Sequence, residues 1–216
     1  MYYYCERTAD HIFSEPLNSI TNIAFIFIAY FIFKKYRKAD YSLILSGLIF
    51  FIGVGSFLLH TFPSRLTALV DVVFILFFIL FFLYVLSRKI IKLSIIYSLS
   101  MSLTSPILYF YLGRALKAEF PRIGDSSFYI IILIHMFLIC IYIFQKKLRN
   151  LKYIFIGSIV FAFSIFFRVI DQVYCEINIH GTHFIWHILN SLVLYYLSKF
   201  IMDNSHFRPK NTSLSQ

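Results

Sequence analysis

Five side chains of types that bind metals or move protons recur at helical spacings. Ser56 and His60 lie four residues apart, Asp71 follows, and His183 and His187 are again four apart. Residues at i and i+4 share a helix face, so each pair projects toward one region. Two imidazoles spaced in this way can hold one metal ion. A third from a neighbouring helix gives three nitrogen ligands and leaves a fourth position for water, the pattern of a catalytic rather than a closed structural zinc site. Imidazole also suits copper, iron and nickel, and zinc is the expected metal among them. An aspartate within an apolar run is expensive unless neutralised or partnered, so Asp71 is a functional candidate by default.

These residues need elements to carry them, and composition says of what kind. The chain has 216 residues, 60% hydrophobic, 20% aromatic and 14% charged, against about 25% charged in ordinary soluble domains. That excludes a soluble enzyme, a disordered tail and a disulfide-dense secreted module. Apolar stretches at 17–33, 41–60, 66–86, 91–111, 127–144, 153–170 and 182–202 are long enough to span a membrane as helices. The expected fold is therefore an all-α, polytopic seven-helix bundle over residues 1–205, followed by a polar cytoplasmic tail at 206–216. No cleavable signal peptide is expected at the start, and no repeat or low-complexity segment is visible.

Direction follows from the basic residues. Fourteen (Lys34, Lys35, Arg37, Lys38, Arg88, Lys89, Lys92, Lys146, Lys147, Arg149, Lys152, Lys199, Arg208 and Lys210) gather on one side. Six (Arg7, Arg65, Arg114, Lys117, Arg122 and Arg168) fall on the other. The positive-inside rule then predicts a lumenal or external N-terminus and a cytoplasmic C-terminus. The net charge of +10 reads as a topology signal with attraction to anionic lipid, not as a nucleic-acid footprint. Ser56 and His60 come late in an outward helix, Asp71 early in the returning one, and His183 and His187 in the first turns of the last. All five are expected within roughly two turns of the outer boundary, in a bacterial inner membrane or a eukaryotic endomembrane.

Each residue has a plainer alternative. A lone histidine near a helix end is commonly interfacial; Asp71 could form a salt bridge with Arg65 or Arg168; Ser56 could belong to a close-packing patch, Gly53 to Ser56. His135, midway along the fifth span, reads as a hydrogen-bonded core histidine, and His11, His180 and His206 as loop or tail residues. Two rival functions are a seven-helix receptor with a structural metal, which has no need of Asp71 and Ser56 beside the histidines, and a transporter. A transporter would favour ionisable groups near the midplane and between repeats.

The same residues carry a family resemblance. Cys5-Glu6 and Glu15-Pro16-Leu17-Asn18-Ser19 through Asn22 are similar to the opening of the alkaline ceramidases. Gly55-Ser56-Phe57-Leu58-Leu59-His60 with Asp71 resembles their central motif. Asp171-Gln172-Val173-Tyr174-Cys175-Glu176 and His183-Phe184-Ile185-Trp186-His187 resemble their C-terminal motifs. The family belongs to a wider group of seven-helix membrane hydrolases that includes adiponectin-receptor-like proteins. The resemblance implies a zinc amidase cutting ceramide, or a related N-acyl lipid, into a sphingoid base and a fatty acid. It implies His60, His183 and His187 as zinc ligands, Asp71 as general base and then acid, and Ser56 as donor to the oxyanion. The implied partners are a lipid substrate and the membrane, with no nucleic acid and no obligate protein.

The resemblance also implies calcium near the zinc, held by N-terminal acidic and amide side chains and a backbone carbonyl. Glu6 and Glu15 match carboxylate positions, hard oxygen ligands of the right kind. Tyr3 stands where an aspartate is expected, Thr8 where an asparagine is, and the intervening loop is two residues shorter. The alternative for Glu15 and Pro16 is the start of the first helix, where acid and proline are favoured. Of the three cysteines, Cys5 and Cys175 fall on the outer face and Cys140 within the fifth span. A Cys5–Cys175 disulfide is expected from the resemblance and suits a non-cytosolic face.

Overall fold

The structure is a computed structural model, and it describes residues 4–9 and 11–205. Tyr3, the expected tail at 206–216 and its His206, Arg208 and Lys210 lie outside the described residues. The apolar runs fold into eight α-helices: α1 (Pro16–Ile20), α2 (Ile23–Lys35), α3 (Ser42–Thr61), α4 (Arg65–Val85), α5 (Ile95–Glu119), α6 (Ser126–Gln145), α7 (Leu151–Tyr174) and α8 (His183–Ser205). Among the described residues there is no strand. Seven stretches are long and apolar enough to cross a membrane, the first combining α1 and α2 and the third extending α4 through a π-helical turn to Ile90. The protein is an all-helical seven-span bundle.

From α2 onward each helix packs on its sequence neighbour, and α8 returns against α2 to close the ring while also touching α1, α3 and α4. Consequently α3 and α8 are half buried, whereas every other span is buried by a third or less. The outward faces carry large apolar side chains such as Phe27, Ile96, Phe144 and Phe163. That is the surface of a chain solvated by lipid, since a water-soluble monomer rarely exposes so much apolar area. Lipid removes most of the hydrophobic drive between helices, so packing and interhelical hydrogen bonds hold them. Ser102 on α5 donates to the Leu80 carbonyl on α4 at 2.7 Å, and Ser164 on α7 to the Trp186 carbonyl on α8 at 3.3 Å.

Three boundaries differ from the sequence reading, each for a local reason. The first span is interrupted at Thr21–Asn22. The Thr21 hydroxyl and the Asn22 amide donate to the Leu17 and Asn18 carbonyls, and the backbone tightens to i→i−3 bonds there, side-chain competition of the kind that bends helices. Helix α5 runs on to Glu119 where a loop was expected from Gly113, because Ala115–Ala118 are good helix formers and the breaker arrives only at Pro121. Helix α7 likewise continues through Asp171 to Tyr174. Helix α4 begins with a reciprocal cap, Ser64 with Thr67, which fixes the short turn after Pro63.

Candidate active site

His60 comes from the end of α3, and His183 and His187 from the first turns of α8; all three are buried. Each ring offers a nitrogen within 4.8 Å of the nitrogens offered by the other two, and the ring centroids lie 4.7–5.3 Å apart. Convergence depends on a close approach of α3 to α4. A side chain at Gly55 would come within 3.1 Å of the Val70 carbonyl and 3.2 Å of the Asp71 Cα. Gly53, pressed on Phe25, does the same against α2, so the small-residue patch packs helices while Ser56 remains available for chemistry.

Outer partners aim the rings. His60 Nδ1 meets a Glu15 oxygen at 2.5 Å, and His187 Nδ1 meets the Thr21 hydroxyl at 3.0 Å. Such bonds fix tautomer and orientation in metal-binding histidines, and they leave Nε2 as the free nitrogen of both rings. The break at Thr21 thus places a hydroxyl at the site. Burial raises the Glu15 carboxyl, but the hydrogen bond and charge of His60, then bonds from Asn18 and Arg7, outweigh it and hold Glu15 below the usual range. It is therefore an anion that accepts from His60. His183 Nδ1 is buried without a hydrogen-bond partner. An orphaned ring nitrogen in a buried site shared with two other imidazoles fits a metal centre.

Ser56, His60, Asp71, His183 and His187 line one small cavity together with Tyr4, Arg168 and Trp186. Ser56 is a hydrogen-bond partner of Asp71, and His60 and Arg168 lie near the carboxylate. Arg168 and Asp71 do not approach to ion-pair distance among the described residues, and Arg65 is exposed. The Arg168 guanidinium instead lies over the Trp186 and Tyr129 rings at 5.1 and 5.2 Å and bonds the Tyr4 hydroxyl. Tyr4 stacks on His183 at 3.9 Å and tilts against His60 at 4.8 Å. Burial keeps its phenol above the ordinary range despite the Arg168 charge, so it remains a neutral donor.

A second knot closes the site from outside. Asp171 accepts from the Thr182 and His183 amides at 2.7 and 2.9 Å, capping α8, and from the Cys5 amide at 3.0 Å. Gly181 has φ +59, and a Cβ there would meet Asp171 and Cys5 at 2.2 and 2.4 Å, so only glycine fits. Cys5 and Cys175 are at disulfide distance, with Cα atoms 5.4 Å apart. Cys140 is buried and free, and His135 bonds the Tyr109 hydroxyl within the bundle.

Tyr4, Thr21, Arg168 and Asp171 were not singled out as site residues from sequence. Arg168 and Thr21 carried a signal, a polar group inside an apolar run, which is the argument that selected Asp71. Tyr4 carried none. Of the Glu6, Thr8 and Glu15 set, Thr8 is exposed, Glu6 accepts from the Leu17 and Asn18 amides, and Glu15 bonds His60.

Two hydrophobic spaces adjoin the cavity. A lateral cleft of about 420 Å³ between α4, α5 and α6 reaches Asp71, Tyr4 and Arg168. An inner chamber, lined by Phe78, Phe82, Met136 and Leu194 among others, meets the cavity at Ile52, Ile75, Tyr129 and Asn190. Among curated proteins none matches the chain. A family model described as Ceramidase matches residues 2–213, nearly the whole length and every residue of the site, and the chain belongs to that family.

Proposed function

We propose that the protein is a zinc-dependent intramembrane amide hydrolase that cuts ceramide, or a closely related N-acyl lipid, into a sphingoid base and a free fatty acid. The observation that carries this reading is the shared cavity of three histidines, Asp71 and Ser56. A receptor with a structural metal has no use for the last two. His60, His183 and His187 would hold the ion. Zinc bound there would polarise the amide carbonyl and lower the pKa of a water.

The chain's own residues do the rest. Asp71 accepts the proton of the attacking water and returns it to the departing nitrogen, first base and then acid. Ser56, one helical turn from His60, donates to the carbonyl oxygen as negative charge develops there. Glu15 and Thr21 hold two rings in place, so no reorientation is needed during the reaction. The lateral cleft beside Asp71 offers an apolar space for a long chain, which keeps bulk water from the scissile bond. The asymmetry of basic residues supports a site near the non-cytoplasmic face, and a Cys5–Cys175 disulfide is compatible with that side.

The test is fatty-acid release from labelled ceramide by purified protein, with and without a zinc chelator, alongside Asp71→Asn. The expected result is hydrolysis that disappears on chelation and falls by about 10²–10⁴ in the variant. Unchanged turnover in Asp71→Asn rejects the proposed base. Failure of zinc-loaded wild type to cleave any N-acyl lipid rejects the hydrolase reading in favour of the receptor.

A further inference from the structure

The calcium site implied by the family resemblance does not fit the residues present. Calcium takes about 6–8 oxygen ligands at ~2.3–2.6 Å, and here the matching positions supply two carboxylates, each already holding other partners. Glu6 spends one oxygen on the Leu17 amide and the other on the Asn18 amide, both at 2.8 Å. Thr8 is exposed. Glu15 bonds His60 and Asn18 through one oxygen and the Arg7 Nε through the other.

The cation found beside Glu15 is the guanidinium of Arg7. Its side chain is 5% exposed and that of Glu15 is 2%, so this ion pair is buried. Arg7 Nη2 also donates to the carbonyl of His60 at 3.1 Å. One side chain thus holds the residue that orients His60 and the backbone of His60 itself. It ties the N-terminal segment to the last turn of α3, as a bound ion would. Nη1 is buried without a partner, so Glu15 is the carboxylate to which this charge is directed.

We propose that Arg7 replaces a divalent cation in this chain: its guanidinium is a built-in positive charge that fixes Glu15, and through Glu15 the His60 ring, so the site is organised without calcium. Arg7 is a positioning residue, acting on the metal centre through a carboxylate and a carbonyl. A buried charge whose partner is removed is strongly destabilising, so Glu15 cannot hold its place once Arg7 is neutral. The geometry also distinguishes arginine from lysine. A planar fork spans the carboxylate and the carbonyl, whereas an ammonium reaches one of them well.

The experiment uses purified full-length protein and two readouts besides turnover. Radioactive calcium is equilibrated with wild type, and thermal unfolding is followed with calcium and with a calcium-selective chelator. The expected result is no stoichiometric calcium and no shift in midpoint; bound calcium or a clear shift overturns the proposal. Zinc affinity is then measured for Arg7→Gln, Glu15→Gln and the double variant. Each single change should weaken zinc by about tenfold or more, the usual size of an outer-partner effect. The double should lose less than the two single losses combined, because much of what Arg7 does passes through that carboxylate. Arg7→Lys should recover part of the loss. Additive losses, or unchanged zinc affinity in Arg7→Gln, overturn the positioning role. Should the variants fail to fold, the wild-type calcium measurement still decides. The proposal takes its zinc site from the function proposed above. Calcium and zinc binding are read without turnover, so a failure to cleave lipid sinks that reading alone.

Discussion

At the histidine end of the bundle, Arg7, Glu15 and Asp171 are withdrawn from solvent and each has named partners. At the opposite end Lys34, Lys35, Arg37, Lys38, Lys92, Lys147 and Lys152 are exposed. Four lysines at this end lie over aromatic rings: Lys34 over Tyr30, Lys35 over Phe31, Lys146 over Tyr142 and Lys152 over Tyr153. Long basic side chains of this kind cover apolar surface while the charge stays in water. The difference is one of desolvation. A charge left in water needs no partner, and its removal changes little. A charge drawn into a bundle must be matched, so the matched groups act as a unit, and precision follows from that necessity. The chemistry sits where polar groups could not avoid being positioned.

This comparison can be broken most directly at the metal centre. Chelation of zinc, or His183→Ala, should abolish hydrolysis, and elemental analysis of the variant should show the zinc gone; retained stoichiometry would remove His183 from the ligand set. Asp71→Asn follows, with turnover falling by about 10²–10⁴, the usual share of a general base, while zinc content is kept. Ser56→Ala should lower kcat by ~10²–10³ if its hydroxyl supports the oxyanion. A larger effect on KM than on kcat would point to substrate placement instead. Gly181→Ala forces a side chain onto Asp171 and Cys5. It should lower the thermal midpoint and slow turnover by loosening the cap on α8, whereas exposed substitutions such as Lys152→Gln should leave both unchanged within error.

The smallest effect sharpens the other end. Tyr36 accepts a hydrogen bond from Lys199 at 2.8 Å, and Lys199 also pairs with Asp203 at 2.8 Å. Burial raises the Tyr36 phenol, only partly offset by the Lys199 bond. A raised folded value means that its contribution is fully present below the unfolded pKa of about 10 and is lost as pH rises through the folded one. Tyrosinate absorbance of wild type minus Tyr36→Phe should titrate above pH ~10, with no change in activity at neutral pH. A midpoint at or below that value would show that the basic end is no more than a solvated rim.

How much could be read in advance varies by residue. The seven spans were legible because apolar length is a local property, and the errors sit at Thr21, Gly113 and Asp171, where side chains or good helix formers outweigh hydropathy. The i,i+4 spacing of His183 and His187 is local too. Glu15 was visible as a candidate ligand, but its hydrogen bond to His60 was not, because only the fold brings the two together. Arg168 was counted as a boundary charge, though it lies beneath Tyr4 and over Trp186.

The amino-acid order alone therefore determined the helices, the order of their motifs and the family, since each rests on composition, period and short-range spacing. Folding decided the partners. Glu15 finds His60 across 45 positions and Thr21 finds His187 across 166, while Arg7 pairs with Glu15 and reaches the His60 carbonyl. Helical period states which face a residue occupies and not which neighbour that face meets. In a bundle held by close packing and a few buried hydrogen bonds, that choice belongs to the assembled helices.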